Sequence, residues 1–290
     1  MSWIGDALTE WIQDLMIPGI LSNIKEIYGA ADQQVADISI QVGKTPQAWN
    51  NGIYNMIRNL SDTVILPIAG AVLAFCMTLE LIQMVTEKNN MQDIEPWMFV
   101  KWVFRAAAAI LIVSNTWSIA MGIFDAAQSV VNSASGIITG GSSSDLSMTD
   151  LAQIYLHLKE QGVGALIGIW IETLLLKFAG SAVSVVILIV IYGRMIEIYL
   201  VTSIAPIPMA TMLNKSWGSV GQNYLRSLLA LAFQGFMIIV CVGIYYTLIK
   251  TLSFDEDIMK TLFTTLCYSV LLCYILFKTG ALAKSVFNAH

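Results

Sequence analysis

Charged side chains are scarce. Asp, Glu, Lys and Arg make up 12% of the 290 residues, about half the share of an ordinary soluble domain, which excludes a conventional water-soluble enzyme. With 57% hydrophobic residues and a mean hydropathy of +0.70, the expected fold class is an all-α polytopic membrane protein. Clustered Lys and Arg are missing as well, and the net charge is −5, so a surface built to grip phosphates is excluded. Cysteine is limited to Cys76, Cys241, Cys267 and Cys273, each inside an apolar run where it behaves as a small hydrophobe with no loop to staple. The two histidines, His157 and His290, lie far apart with no cysteine nearby, so no metal site is expected. HExxH, GxSxG, GxGxxG and P-loop signatures are all absent. The expectation is a protein that is not an enzyme, with no catalytic residue, cofactor or metal.

What the chain does have is apolar length, divided by short polar stretches. The opening Met1-Ser-Trp-Ile-Gly-Asp6 has no basic n-region and is followed by Glu10 and Asp14, so no cleavable signal peptide is expected. Ile4, Leu8, Trp11, Ile12 and Leu15 recur at helical spacing opposite Asp6, Glu10, Gln13 and Asp14, predicting an amphipathic helix that Pro18-Gly19 ends. A second amphipathic stretch, Trp49, Ile53, Met56, Ile57 and Leu60, leads into the first apolar run. Residues 1–59 thus read as an extracytoplasmic or interfacial helical region, 60–279 as the transmembrane domain and 280–290 as a cytoplasmic tail.

Five spans are expected, at about 62–86, 99–124, 174–199, 226–250 and 260–278. The second rests on nineteen uncharged residues between Arg105 and Asp125, the fourth on twenty-three between Arg226 and Lys250, the fifth on seventeen between Lys260 and Lys278. The third is shorter, its sixteen uncharged residues Phe178–Gly193 flanked by Lys177 and Arg194, which can snorkel to the interfaces. Whether 163–208 forms one long helix or two elements is open. Residues 133–150 read as a flexible loop, with capping-box spacing from Ser147 to Asp150, and 87–93 and 255–257 read as polar turns. Basic residues divide eight to three. Lys88, Lys101, Arg105, Arg194, Lys215, Arg226, Lys278 and Lys284 lie on the side of residue 88; Lys159, Lys250 and Lys260 lie on the other. That bias places the N-terminus outside and the C-terminus in the cytoplasm.

An ionisable side chain at membrane depth costs about 2.5 to 3.5 kcal/mol on insertion scales, so each is a candidate for function or for structural pairing. Glu80 is the deepest carboxylate, expected near the interface or paired with a neighbouring helix. Arg194 and Glu197 are three residues apart on one helical face and are expected to pair with each other. Glu172 and Lys177 do not face each other and need other partners. Pro206-Ile-Pro208 marks either a helix end with a stiff turn or a broken helix lining a cavity. Ala106–Ala109, and Gly180 with Ser184, are small enough to let another helix approach closely.

Four stretches, in order, carry a resemblance. They are Thr63-Val-Ile-Leu-Pro-Ile-Ala-Gly70; Met84-Val-Thr-Glu-Lys-Asn-Asn90; Tyr192-Gly-Arg-Met-Ile-Glu-Ile-Tyr199 with Ala205-Pro-Ile-Pro208; and Gly221-Gln-Asn-Tyr-Leu-Arg226 with Phe233-Gln-Gly235. Together with Thr45-Pro-Gln-Ala-Trp49 ahead of the first span, they resemble the TrbL-type conjugal transfer membrane proteins. These are polytopic inner-membrane channel subunits of type IV secretion systems, in the form found in conjugative elements of Gram-positive bacteria. The resemblance implies about five spans, the N-terminus outside, and a translocation subunit that helps pass a relaxase-bound single DNA strand, or proteins, with energy from separate ATPases. Other secretion subunits, membrane lipids and further copies of the chain are the implied partners. The loop at 132–162 is shorter than in larger members, and no residue's role transfers. A stand-alone transporter or ion channel using Glu80, Glu172 and Lys177 is the alternative.

Overall fold

Helices begin where the sequence supplies caps. Thr45 accepts a hydrogen bond from the Ala48 N–H at 3.2 Å, with Pro46 in the first helical turn, and Asn50 accepts from the Ile53 N–H at 3.0 Å. In a computed structural model, residues 2–87, 96–140, 148–252 and 258–289 are described, and every regular element among them is helical. In chain order these are α1 (Ser2–Val42), α2 (Pro46–Trp49), α3 (Asn51–Leu60), α4 (Leu66–Glu87), α5 (Pro96–Ser114), α6 (Thr116–Gly140), α7 (Met148–Glu160), α8 (Val163–Ser203), α9 (Pro206–Thr211), α10 (Gly218–Lys250) and α11 (Ile258–Val286). A π-helical turn, Ser61–Ile65, joins α3 to α4, with the Leu66 N–H bonded five residues back to the Ser61 carbonyl. Pro67 follows at once. Its ring would clash with the carbonyl four residues earlier in a regular α-helix, and the wider turn just upstream is a common way to accommodate that.

Among the described residues, five stretches are long and apolar enough to cross a membrane: Asn51–Thr86, Pro96–Ser114, Val163–Ser203, Gly218–Lys250 and Ile258–Val286. The all-α polytopic expectation therefore holds, with several differences in detail. α1 does not end at Pro18-Gly19 but continues to Val42. Burial of Ile17, Ile20, Ile24 and Tyr28 on one stripe outweighs the hydrogen bond that proline withholds, while Trp11 and Leu15, expected on the packed face, are exposed. In the second amphipathic stretch Ile53 and Ile57 pack on the core, but Met56 and Leu60 face outward and Tyr54 is the buried residue.

The span expected over 99–124 is interrupted at Asn115. Three consecutive side chains turn back on the helix there: Ser114 Oγ donates to the Ile110 carbonyl at 2.8 Å, Asn115 Nδ2 to Leu111 at 2.8 Å, and Thr116 Oγ1 to Ile112 at 3.0 Å. Such back-bonding competes for the carbonyls that hold a helix straight. The loop expected over 133–150 is helical as far as Gly140 and again from Met148. The capping residue Ser147, the turn 88–93 and the turn 255–257 lie outside the described residues. The 163–208 segment resolves into a single 41-residue helix, α8, and the short α9. At 1.5 Å per residue α8 is about 62 Å long, twice the hydrocarbon thickness of a bilayer.

The chain divides into two compact units. One comprises Met1–Val42, Asn132–Ile191 and Met237–Lys278; the other comprises Gly43–Val131, Tyr192–Phe236 and Thr279–His290. In the second unit, Tyr54, Trp117, Phe124, Met195, Ile198 and Leu231 build one apolar core, and Ala69, Leu73, Met77, Ala109, Val113 and Ala210 build another.

Candidate functional site

Several of the stretches that carry the family resemblance meet within the unit containing Gly43–Val131 and Tyr192–Phe236, while Met84–Asn90 lies partly outside the described residues. Trp49 stands edge-on to Tyr192 with ring centroids 5.1 Å apart and lies 6.0 Å from Tyr199. The Tyr199 hydroxyl donates to the Pro46 carbonyl at 2.6 Å, closing the Thr45–Trp49 turn against α8. Nearby, the Trp117 indole N–H donates to the Tyr54 hydroxyl at 3.0 Å. Tyr224 of the Gly221–Arg226 stretch donates to the Val201 carbonyl at 3.1 Å. Gly221 itself leaves room for a backbone: a Cβ there would lie 2.6 Å from the Pro208 carbonyl oxygen.

Pro206 and Pro208 follow the end of α8. Pro206 opens the six-residue α9, in which Pro206, Met209, Ala210 and Thr211 are buried. The motif stands just past the end of α8, and the turn is a packed one, since Ala210 joins the core made by Ala69, Leu73 and Ala109. Ala109, from the small-residue patch, thus serves packing within the subunit. Asn214, which the sequence reading did not single out, ties the following turn down. It is buried, donates through Nδ2 to the Cys76 carbonyl at 3.0 Å and accepts from the N–H groups of Ser216 and Trp217 at 2.9 and 3.0 Å. An asparagine just before a helix start was the available signal, because such a side chain mimics a backbone turn.

Arg194 and Glu197 do not pair. The buried Arg194 guanidinium donates from Nε to the Leu231 carbonyl at 3.2 Å and from Nη2 to Ala232 at 3.3 Å. Gly235 makes this approach possible, since a Cβ there would lie 2.9 Å from Nη2. Glu197 instead meets Lys284 of α11 at 3.0 Å, both side chains being more than two-fifths exposed. Two different neighbours thus take the groups whose spacing predicted mutual neutralisation. Beside them, Gln234 donates to Thr279 at 3.5 Å, and Gly280 leaves room for the Gln234 amide.

Glu80 is buried and paired across helices, as one of the two expectations for it had it: Arg105 Nη1 of α5 donates to its Oε1. Its other oxygen, Oε2, has no hydrogen-bond partner among the described residues. Trp102, one turn before Arg105, donates its indole N–H to the Met77 carbonyl at 3.3 Å and so fixes α5 against α4.

The other unit holds its own polar group. Lys177 pairs with Glu26 of α1 at 2.7 Å and approaches Asn23 at 3.4 Å, and Asn23 donates to Thr173 at 3.1 Å. Glu172 is half-buried on the same helix. Glu80 belongs to one unit, Glu172 and Lys177 to the other. Lys177, Gly180 and Ser184 line a cavity of about 190 Å³ with the hydroxyls of Tyr28, Tyr245 and Ser269. Burial pushes the Tyr28 phenol up to about 12, with Thr265 opposing and Tyr245 adding to the shift. The cavity is smaller than the ~300 Å³ at which pockets begin to hold drug-sized molecules, so it is no passage for a nucleic-acid strand or a polypeptide. No group of three or more His, Cys, Asp or Glu able to hold a metal occurs among the described residues.

Residues 31–206, more than half of the chain, match a family model described as TrbL/VirB6 plasmid conjugal transfer like protein. No curated protein and no solved structure matches. The matched range takes in the Thr45–Trp49 turn, the π turn, the Glu80–Arg105 pair and α8. With five membrane-spanning helices and motif residues that pack on one another, the chain belongs to the TrbL/VirB6 plasmid conjugal transfer-like family as a multi-pass membrane component.

Proposed function

We propose that the chain is a non-catalytic subunit of a conjugative type IV secretion apparatus, helping form the passage by which DNA or protein substrate crosses the bacterial cytoplasmic membrane. The observation that carries this reading is the family match over residues 31–206 on a chain with five spans. The N-terminus lies outside and the C-terminus in the cytoplasm, a reading supported by the eight-to-three division of basic residues. A chain of five spans is small for enclosing such a passage by itself, which favours a substrate path formed between copies of the subunit or with partner proteins. The separate ATPases of such an apparatus supply the energy, and contact with a single DNA strand is transient, in keeping with a net charge of −5.

Affinity purification from native membranes tests the proposal. The coupling and assembly ATPases are expected to accompany the tagged full-length chain, which is itself expected to be a homo-oligomer in lipid nanodiscs by mass measurement. A strictly monomeric particle that conducts ions unaided, without those ATPases, would overturn it in favour of a stand-alone channel.

A further inference from the structure

The C-terminal third of α4, the start of α5 and the turn preceding α10 enclose a cleft of about 390 Å³. Among the described residues its charged lining is Lys101, Arg105, Lys215 and Glu80, two net positive charges in a chain whose overall balance is negative. Lys101 and Arg105 are four residues apart and so share one face of α5. Arg105 gives a single nitrogen to Glu80, leaving most of its five N–H donors for other acceptors, and its side chain is 40% exposed. Glu80 contributes the opposite kind of group, a 4% exposed residue whose Oε2 accepts no hydrogen bond among the described residues. A ligand that satisfies this cleft carries an anion for three cations and a hydrogen-bond donor for one carboxylate oxygen.

Its surroundings decide between a soluble ligand and a lipid. Trp97, whose ring centroid lies 6.0 Å from Lys101 Nζ, and Trp217, two residues after Lys215, are 59% and 47% exposed, as tryptophans at headgroup depth are. Beside Arg105 and further along α5, Phe104 and Leu111 are more than half exposed on a membrane-spanning helix. Cations at headgroup level at the end of an uncovered apolar helix face match an amphiphile, with its charge in the cleft and its chains along α5.

We propose that this cleft binds the headgroup of phosphatidylglycerol, its phosphate held by Lys101, Arg105 and Lys215 and a glycerol hydroxyl donating to Glu80 Oε2. The site is independent of the transfer role, since it needs only a membrane-embedded chain.

Native mass spectrometry of the full-length protein in a neutral detergent tests it with four probes: dioleoyl phosphatidylglycerol, dioleoyl phosphatidylcholine, dioleoyl phosphatidylethanol and glycerol 1-phosphate. Phosphatidylglycerol is expected to be retained over phosphatidylcholine. It should also exceed phosphatidylethanol, which keeps the charge and lacks the hydroxyl, by about tenfold, the worth of a hydrogen bond to a charged group. Lys101→Gln and Lys215→Gln should each weaken retention about fivefold. Both lysines are exposed, so the variants should keep the elution volume and lipid-free unfolding midpoint of the unmodified protein. Lys101→Arg/Lys215→Arg should retain the lipid. Equal retention of phosphatidylglycerol and phosphatidylcholine, or unchanged retention by the glutamine variants, would overturn the site. Equal retention of phosphatidylethanol would overturn the role of Glu80, and displacement by an equal concentration of glycerol 1-phosphate would identify a soluble phosphate ligand instead.

Discussion

At the scale of single residues, spacing along the chain names candidates but not partners. Arg194 and Glu197 have the i, i+3 spacing of an intrahelical pair, yet Gly235 opens the α10 backbone to the guanidinium and Lys284 takes the carboxylate. A double-mutant cycle on stability in detergent checks this. Losses from Arg194→Gln and Glu197→Gln are expected to add within about 0.5 kcal/mol, as for independent sites. Glu197→Gln with Lys284→Gln should show a coupling below about 1 kcal/mol, typical of an exposed ion pair. A large coupling between Arg194 and Glu197 would restore the intrahelical pair. Glu80 was legible as a residue needing a partner, because a buried carboxylate cannot stand alone. Identifying Arg105 required knowing that α4 packs on α5, which no local pattern encodes. Tyr54, Tyr199 and Asn214 were missed for the same reason: each is defined by a carbonyl, ring or N–H group far away in sequence.

At the scale of elements, the number of spans was legible because bilayer thickness fixes how long an uncharged run must be. Where helices stop was less so. Pro18 was read as an end, although the buried stripe through Ile17, Ile20, Ile24 and Tyr28 carries α1 past it. Conversely, Ser114-Asn115-Thr116 has no proline or glycine to announce a break, and its side chains donate to three successive carbonyls of the preceding turn, Leu111 accepting the Asn115 N–H as well. The continuity of α8 was not legible, and it is the structure that shows buried Leu166, Ile169, Thr173, Leu176, Val183 and Ile187 following a three-and-four rhythm down one face. Packing between elements sets the prediction at this scale. In Gly221→Ala the new methyl would meet the Pro208 carbonyl and the Met212 backbone, neither of which can rotate away, at 2.6 and 2.7 Å. A loss of about 1–3 kcal/mol, the usual cost of overpacking, should lower the thermal unfolding midpoint. Gly70→Ala, where a Cβ meets nothing within 4 Å, should leave that midpoint close to the unmodified value.

For the whole molecule, the proposed topology of five spans puts the termini on opposite faces of the membrane, and the prediction concerns which face is which. In a variant lacking the four native cysteines, Ser143→Cys should be labelled by an impermeant reagent from outside intact cells, and Asn90→Cys only after the membrane is opened. Labelling of both from one side would be incompatible with five spans. The π turn Ser61–Ile65 bears on every contact that follows it. A π turn holds one residue more than an α turn, so it acts as a phase shifter between α3 and α4. Were those five residues to relax to α geometry with none removed, all of α4 would turn by about 100° relative to α3. Glu80 would swing away from Arg105 and Ala69 out of its core, although neither residue had changed. The side-chain register of the first span is thus set by a count of residues upstream of it.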